Sequence, residues 1–199
     1  MTPDTSTEKT RLLSELHRFK DIHAHLAPGA EEAPAGVLVS LTPAEARRVL
    51  SRPGVRGEYS VGVHPWDAAG PVDWDELEAF LRHPAVVAVG ECGLDALRGP
   101  SLEAQERVFR RQVELAERLR KPVVLHVVRA MEPLLRIKRE MAPAQPWIWH
   151  GFRGKPEQAR QLVRAGIAVS LGRIYNKEVP QGVPPLMLFR ESDDEEGVS

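Results

Sequence analysis

Short apolar or β-branched runs alternate along the chain with amphipathic segments that carry helix-start and helix-stop residues, a pattern that predicts strands separated by helices. Residues 36–40 read as a strand leading into Thr42, Pro43 and Glu45, which offer a cap, a first-turn proline and a capping-box carboxylate for a helix to about Leu50. Strand-like 59–63 precedes a helix that opens at Asp73, aligns Trp74, Leu77, Phe80 and Leu81 on one face, and stops at His83-Pro84. Residues 86–89 read as a buried strand, and Ser101 opens a long helix with Val108, Phe109, Val113, Ala116 and Leu119 at helical spacing, ended by Lys121-Pro122. Strands at 123–125 and 147–149 precede helices at 133–141 and 156–165, the second closed by Gly166. Runs at 167–171 and 186–189 complete the set, and with 19–22 as the first there are eight strands, nearly continuous in apolar character.

Eight such units specify an α/β fold, a TIM (β/α)8 barrel lacking the helix after strand eight, because only ten residues follow Phe189. The missing crossover leaves the seam between strands eight and one open, so lowered stability or a covering partner is expected. Residues 1–18 form an N-terminal extension whose Leu12, Leu13 and Leu16 suit a short covering helix, residues 19–194 the barrel, and residues 195–199 an acidic tail. The length of 199 residues fits one domain and falls short of the ~250 residues typical of this barrel. No apolar run approaches the ~20 residues of a membrane span, and the N-terminus shows no signal-peptide pattern. With a single cysteine, Cys92, excluding an internal disulfide framework, a cytoplasmic location is expected. A net charge of -1 argues against a surface coated for non-specific nucleic-acid binding and leaves room for a local phosphate site.

Five of the seven histidines, His23, His25, His64, His126 and His150, fall at or just beyond the C-terminal end of a strand, the rim where a parallel barrel gathers its active site. In Asp21-x-His23-x-His25, residues two apart share a side, so both imidazoles reach one ion and Asp21 can orient one of them. Glu91 follows a wholly apolar strand, where a carboxylate is costly unless it meets a cation: a metal it can bridge, or an arginine such as Arg98 or Arg129. Cys92 alternates away from it as a packing residue. His126 and His150 end successive strands at one level, and Asp193, after strand eight, offers a further carboxylate that parity does not separate from Glu191 or Asp194.

Taken together, Asp21-x-His23-x-His25, Gly62-x-His64-Pro65, Gly90-Glu91-x-Gly93-Leu94-Asp95, Phe109-x-x-Gln112, His126 after an apolar run, His150-Gly-Phe152-x-Gly154 and Glu191-Ser-Asp193 resemble the TatD family of metal-dependent deoxyribonucleases, in a compact form. The resemblance implies an amidohydrolase-type barrel that hydrolyses phosphodiesters in DNA, often from the 3′ end. It implies one divalent ion on His23, His25, Glu91 and Asp193, with Glu91 bridging to a second on His126 and His150. By the same resemblance Asp193 accepts the proton of the attacking water and His64 contacts the substrate phosphate. Arg129, Arg153 and Lys155 are further candidates for phosphate binding, and Trp66 for stacking on a base. Imidazole ligands favour zinc or manganese, whereas the resemblance implies magnesium or manganese. The chain departs from the family pattern after His126, at Val127-Val128-Arg129, and after His150, at Gly151-Phe152-Arg153, which bears on substrate choice. The same metals could serve an ester or amide hydrolase, such as an aminoacyl-tRNA deacylase, or a non-catalytic metal-binding protein.

Overall fold

The computed structural model describes residues 5–27 and 29–192, so Asp193 and the acidic tail lie outside the described residues. Strands β1 (Asp21–His25), β2 (Val37–Leu41), β3 (Glu58–Val61), β4 (Val86–Asp95), β5 (Val123–Val128), β6 (Trp147–Trp149), β7 (Ile167–Leu171) and β8 (Leu188–Arg190) pair in chain order, each parallel to the next. β8 returns against β1, so the eight strands form a nearly closed barrel of TIM type. Helices α1 (Thr5–Leu16), α2 (Pro43–Leu50), α3 (Trp74–Arg82), α4 (Leu102–Leu119), α5 (Met131–Met141) and α6 (Pro156–Arg164) accompany them. Among the described residues, no helix is long and apolar enough to cross a membrane.

Local sequence accounts for the helix ends. Glu45 N–H donates to Thr42 Oγ1 at 3.3 Å while Thr42 N–H donates to Glu45 Oε2 at 2.8 Å, the reciprocal box its sequence announces. Ile22, Leu38, Ala88, Val124, Ile148, Ala168 and Phe189, from seven of the eight strands, form the apolar filling of the barrel. Leu13 and Leu16 of α1, with Phe19 behind them, pack into this filling. The N-terminal extension is therefore part of the core, each buried leucine contributing roughly 1.5–3 kcal/mol.

The seam differs from its expected openness. His17 Nε2 lies 3.1 Å from the Leu186 carbonyl oxygen, its ring stacks on Phe189 at 4.3 Å, and Ser192 Oγ hydrogen-bonds to Asp21 Oδ2. The large apolar side chains exposed among the described residues are Trp66, Leu97 and Ile174, none of them on β1 or β8. The last strand is also shorter than expected, because Pro185–Met187 forms a 3-10 turn before it.

β4 runs past its apolar stretch. Its register against β5 shifts between Val89 and Cys92, then resumes through Gly93↔His126 to Asp95↔Val128, so Glu91 lies inside the strand and not after it. Only glycine allows this approach at position 93. A Cβ there would lie 2.1 Å from the His126 carbonyl oxygen, and φ is +143°. Replacing Gly93 with Ala is expected to lower stability by about 3 kcal/mol. Urea unfolding measures this, and an unchanged midpoint contradicts the close-approach argument.

At the opposite, N-terminal end of β6, Lys138 of α5 is 7% exposed, and its Nζ, 4.2 Å from the Trp147 ring centroid, hydrogen-bonds to no acceptor among the described residues. Burial, reinforced by the charge of Lys9, pushes its pKa down to about 6, against the opposing pull of Glu117. Between that value and its ordinary 10.5 the unfolded chain holds a proton the folded chain lacks, so this group makes stability rise with pH across that window. Lys138→Met is expected to unfold at higher urea than the natural chain and to flatten the rise between pH 6 and pH 9. An equally steep rise in the variant would place its origin elsewhere.

Candidate metal centre

Glu91 is 7% exposed at the C-terminal rim of the barrel. Its Oε1 lies 2.7 Å from His126 Nδ1, 2.8 Å from His150 Nε2 and 3.5 Å from His64 Nε2. Its Oε2 lies 3.4 Å from His23 Nε2 and 3.7 Å from His25 Nε2. All five rim histidines thus converge on one carboxylate, which is met by imidazoles and not by Arg98 or Arg129. Burial pushes the Glu91 carboxyl up, but His150 and His23, with hydrogen bonds to His126 and His150, outweigh it and hold the group well below the usual carboxylate range. Burial lowers His150 in turn, and Glu91 and Glu191 outweigh that and raise it well above its ordinary value.

The strands explain the convergence. Leu125 of β5 pairs with Trp149 of β6, so His126 and His150 project at one level. A register shift in β1 between Asp21 and Ala24 gives the strand an extra residue against β2. Ile22 then joins the barrel filling while the adjacent His23 still reaches Glu91. His64 stands beyond β3, where Gln112 of α4 accepts from Val63 N–H at 2.8 Å and donates to its carbonyl at 3.1 Å.

Among the described residues, two sets of potential ligand atoms lie within 4.8 Å of one another: His23, Glu91 and His150, and His64, Glu91 and His126. Glu91 belongs to both. This grouping differs from the implied one, setting His150 beside His23 and adding His64 to His126. The hydrogen bond from Trp66 N–H to His64 Nδ1, at 3.2 Å, makes Nδ1 an acceptor, so in the neutral ring Nε2 carries the proton and faces Glu91 as a donor. That polarity suits contact with an anion better than ligation. His25 is the most open of the set, its side chain 53% exposed. A buried carboxylate ringed by imidazole nitrogens is a donor set that fits divalent transition ions once those nitrogens give up their protons.

The flanking residues divide. Arg129 and Arg153 line a groove of ≈ 880 Å³ that adjoins His126 and His150 and is walled by Leu97, Met131, Trp149 and Phe152. Lys155, at the start of α6, is not part of that lining; its N–H donates to Gln158 Oε1. Arg129 has φ +48° immediately after β5, a left-handed conformation that is strained outside glycine and here faces the groove. Cys92 is fully buried, and burial pushes its thiol up, as befits a packing residue. Asp21 orients no imidazole; it accepts from His23 N–H at 3.2 Å and from the Ser192 hydroxyl.

Four polar residues received no settled role from the sequence, Glu191 only as an alternative to Asp193. Glu191 is buried with Oε1 3.5 Å from His150 Nδ1; burial raises its carboxyl, and His150, Ser170 and His23 outweigh that and lower it. Asp95 lies 3.3 Å from His126 Nε2, and buried Gln105 holds its backbone on both sides, accepting from its N–H at 2.7 Å and donating to its carbonyl at 2.9 Å. Gln105 and Gln112 lie seven apart on the buried face of α4, and a polar residue interrupting an apolar helix stripe is the signal that could have found both.

Comparison with known proteins agrees with this geometry. A family model described as TatD related DNase matches residues 20–194. A relative from Edwardsiella piscicida named 3'-5' ssDNA/RNA exonuclease TatD is 38% identical over 119 residues, covering 56% of this chain and 45% of its own. The metal-dependent hydrolase YjjV of Escherichia coli K12 is 33% identical over 177 residues, covering 78% of this chain and 68% of its own. The crystal structure of YjjV superposes with a TM-score of 0.71 at 26% identity, over 88% of this chain and 79% of that one. A TatD family hydrolase from Entamoeba histolytica shares the fold, with a TM-score of 0.67 at 19% identity over 87% of this chain and 73% of its own. The match spans about half the length of the Edwardsiella relative. With a family model covering nearly its whole described length and its histidines gathered on one carboxylate, the chain belongs to the TatD-related DNase family.

Proposed function

We propose that the protein is a metal-dependent phosphodiesterase that shortens nucleic acid, DNA in the first place, from the 3′ end. The observation that carries this reading is the sharing of Glu91 between two groups of imidazoles. His23, His25, Glu91, His126, His150 and Asp193 are the residues assigned to hold two divalent ions, with Glu91 common to both. When bound, such ions supply Lewis-acid activation of water and of a phosphoryl oxygen.

The remaining work falls to the chain itself. Burial of Glu91 and His150 excludes bulk water from the inner wall, which strengthens every charge interaction there. His64, with its proton on Nε2, donates to a non-bridging phosphate oxygen. Arg129 and Arg153 form no ion pair with a described residue, whereas Arg47, Arg110, Arg118 and Arg136 are all paired with glutamates. Their guanidinium groups are therefore available to the phosphates of a strand lying in the groove, with Lys155 at its margin. Trp66 is 41% exposed at the mouth and offers a face for a base. Asp193, two positions beyond Glu191, is assigned as acceptor of the proton lost by the attacking water. The exonuclease name of the Edwardsiella relative supports nucleic acid as the substrate.

With 5′-labelled single-stranded DNA and added Mg²⁺ or Mn²⁺, the natural chain is expected to produce progressively shorter products, and Glu91→Gln to match the natural chain in chelator. Full activity in Glu91→Gln sinks the proposal. Metal binding must also displace the proton that Glu91 and Glu191 hold on His150, so apparent affinity is expected to rise with pH, about tenfold per unit for each proton released. Chelator competition between pH 6 and pH 8 measures this slope, and a flat profile contradicts ligation by His150.

A further inference from the structure

A second charged surface stands on the segment that joins β7 to β8. The segment is a fixed platform. Val179 and Val183, at the two ends of the 3-10 turn Val179–Gly182, are buried and hold it down. Asn176 closes the turn: its Oδ1 accepts the Glu178 N–H and its carbonyl the Val179 N–H, both at 3.0 Å. On the outer side Ile174 is 66% exposed, and two cations gather on the neighbouring Tyr175 ring. Lys177 Nζ lies 3.9 Å from the ring centroid and Arg190 Cζ 5.2 Å from it.

Arg190 ends β8, opposite Leu171 of β7. Successive residues there face opposite ways: Glu191 is buried against His150, while Arg190 is exposed and turns to Tyr175. The surface therefore begins one residue from the centre. Lys177 and Arg190 are like charges held on one ring, and neither forms an ion pair with a described residue. Glu178, the acid nearest in sequence, is exposed and pairs with neither. Elsewhere the chain neutralises such groups, as Arg18, Arg52 and Arg82 each meet a glutamate. A hydrogen bond and the charge of Arg190, with Lys177 behind them, outweigh desolvation and lower the Tyr175 hydroxyl, as an uncompensated positive surface does. Mutually repelling cations fixed at the mouth of a site suit a polyanion that reaches it.

We propose that Tyr175, Lys177 and Arg190, with Ile174, form a docking strip for the backbone of a single-stranded nucleic acid on the 5′ side of the bond to be cut. This rests on the phosphodiesterase reading above for its purpose, but the docking itself is measured without metal. Shape divides the strand. The groove beside His126 and His150 is bounded, at ≈ 880 Å³, and takes the finite 3′ end. The β7–β8 surface is open and takes the chain that continues. Lys177 and Arg190 meet phosphates as charge-assisted donors, held in place by the Tyr175 ring, and Ile174 gives apolar contact to a sugar or base. A strand confined to the groove gains nothing from the strip, so affinity grows with length.

The test is fluorescence anisotropy of labelled single-stranded DNA, three or twelve nucleotides long, with the full chain in chelator, where no strand is cut. The natural chain is expected to bind the longer strand more tightly than the shorter. Lys177→Glu and Arg190→Gln are each expected to weaken the longer strand about tenfold and to flatten the slope of log affinity against log salt by about 0.7 for the lost phosphate contact. Their affinity for the shorter strand is expected to match that of the natural chain. Arg139→Glu makes the same charge change as Lys177→Glu near the end of α5 remote from the groove, and is expected to stay within about twofold. Equal affinity of the natural chain for both lengths overturns the proposal, as does unchanged binding of the longer strand by either strip variant. A loss as large in Arg139→Glu overturns it too, since net charge alone would then explain the effect, and so does an equal loss at both lengths. Cleavage in manganese is read separately. A natural chain that binds the longer strand but never cuts it overturns the phosphodiesterase reading and leaves the strip standing, whereas normal cutting with undiminished binding in the variants removes the strip alone.

Discussion

The Glu91 carboxylate is held ionised where almost no water reaches it, and this constraint organises the rest of the molecule. A bare charge at that depth costs several kcal/mol, and here imidazoles from β1, β5, the end of β6 and the loop after β3 offset it. The barrel makes such convergence affordable because parallel strands deliver their C-terminal ends to one rim. A hydrogen bond from His150 Nε2 to Glu91 Oε1, at 2.8 Å, ties the cluster together. On the proposed reading the same atoms would take up divalent ions as they give up protons, so binding and protonation would compete for one space.

Around this centre the chain uses rigid polar anchors in place of long loops. Gln105 and Gln112 extend from one helix to grip the backbone after β4 and after β3, which fixes Asp95 and the approach to His64. Gly90 and Gly93 let β4 ride close against β5, carrying Glu91 between His126 and His150. At the far end, α1 packs its leucines into the filling of the barrel and reaches the segment before β8 through His17, so the seam between the last and first strands is covered from below. One end of the barrel is therefore packed dry and the other left polar, a division that keeps the strained and charged groups away from the bulk of the core.

Much of this was legible in the residues. The strand runs, the Thr42 box and the helix stops follow from period and local chemistry, and five histidines at strand ends located the rim. Other features depended on register. The extension of β4 through Asp95 follows from pairing with β5 after a shift that no apolar pattern announces. The neighbouring residues Ile22 and His23 serve the core and the centre alike, which simple alternation forbids and the irregularity in β1 permits. Asp95 stood in its motif without a role, and Glu191 was not separated from Asp193, because their imidazole partners lie far away in sequence. The grouping of ligands was likewise invisible, since it depends on which ring nitrogen each neighbour occupies.

The central claim is that Glu91 is shared by two ions. Crystals of the protein soaked in manganese, with diffraction recorded on both sides of the manganese absorption edge, would locate bound ions directly. The account predicts two anomalous peaks at the barrel rim, each in contact with an oxygen of Glu91, one toward His23 and the other toward His126. Ions that leave Glu91 untouched, or a rim with no anomalous peak at saturating manganese, would contradict it.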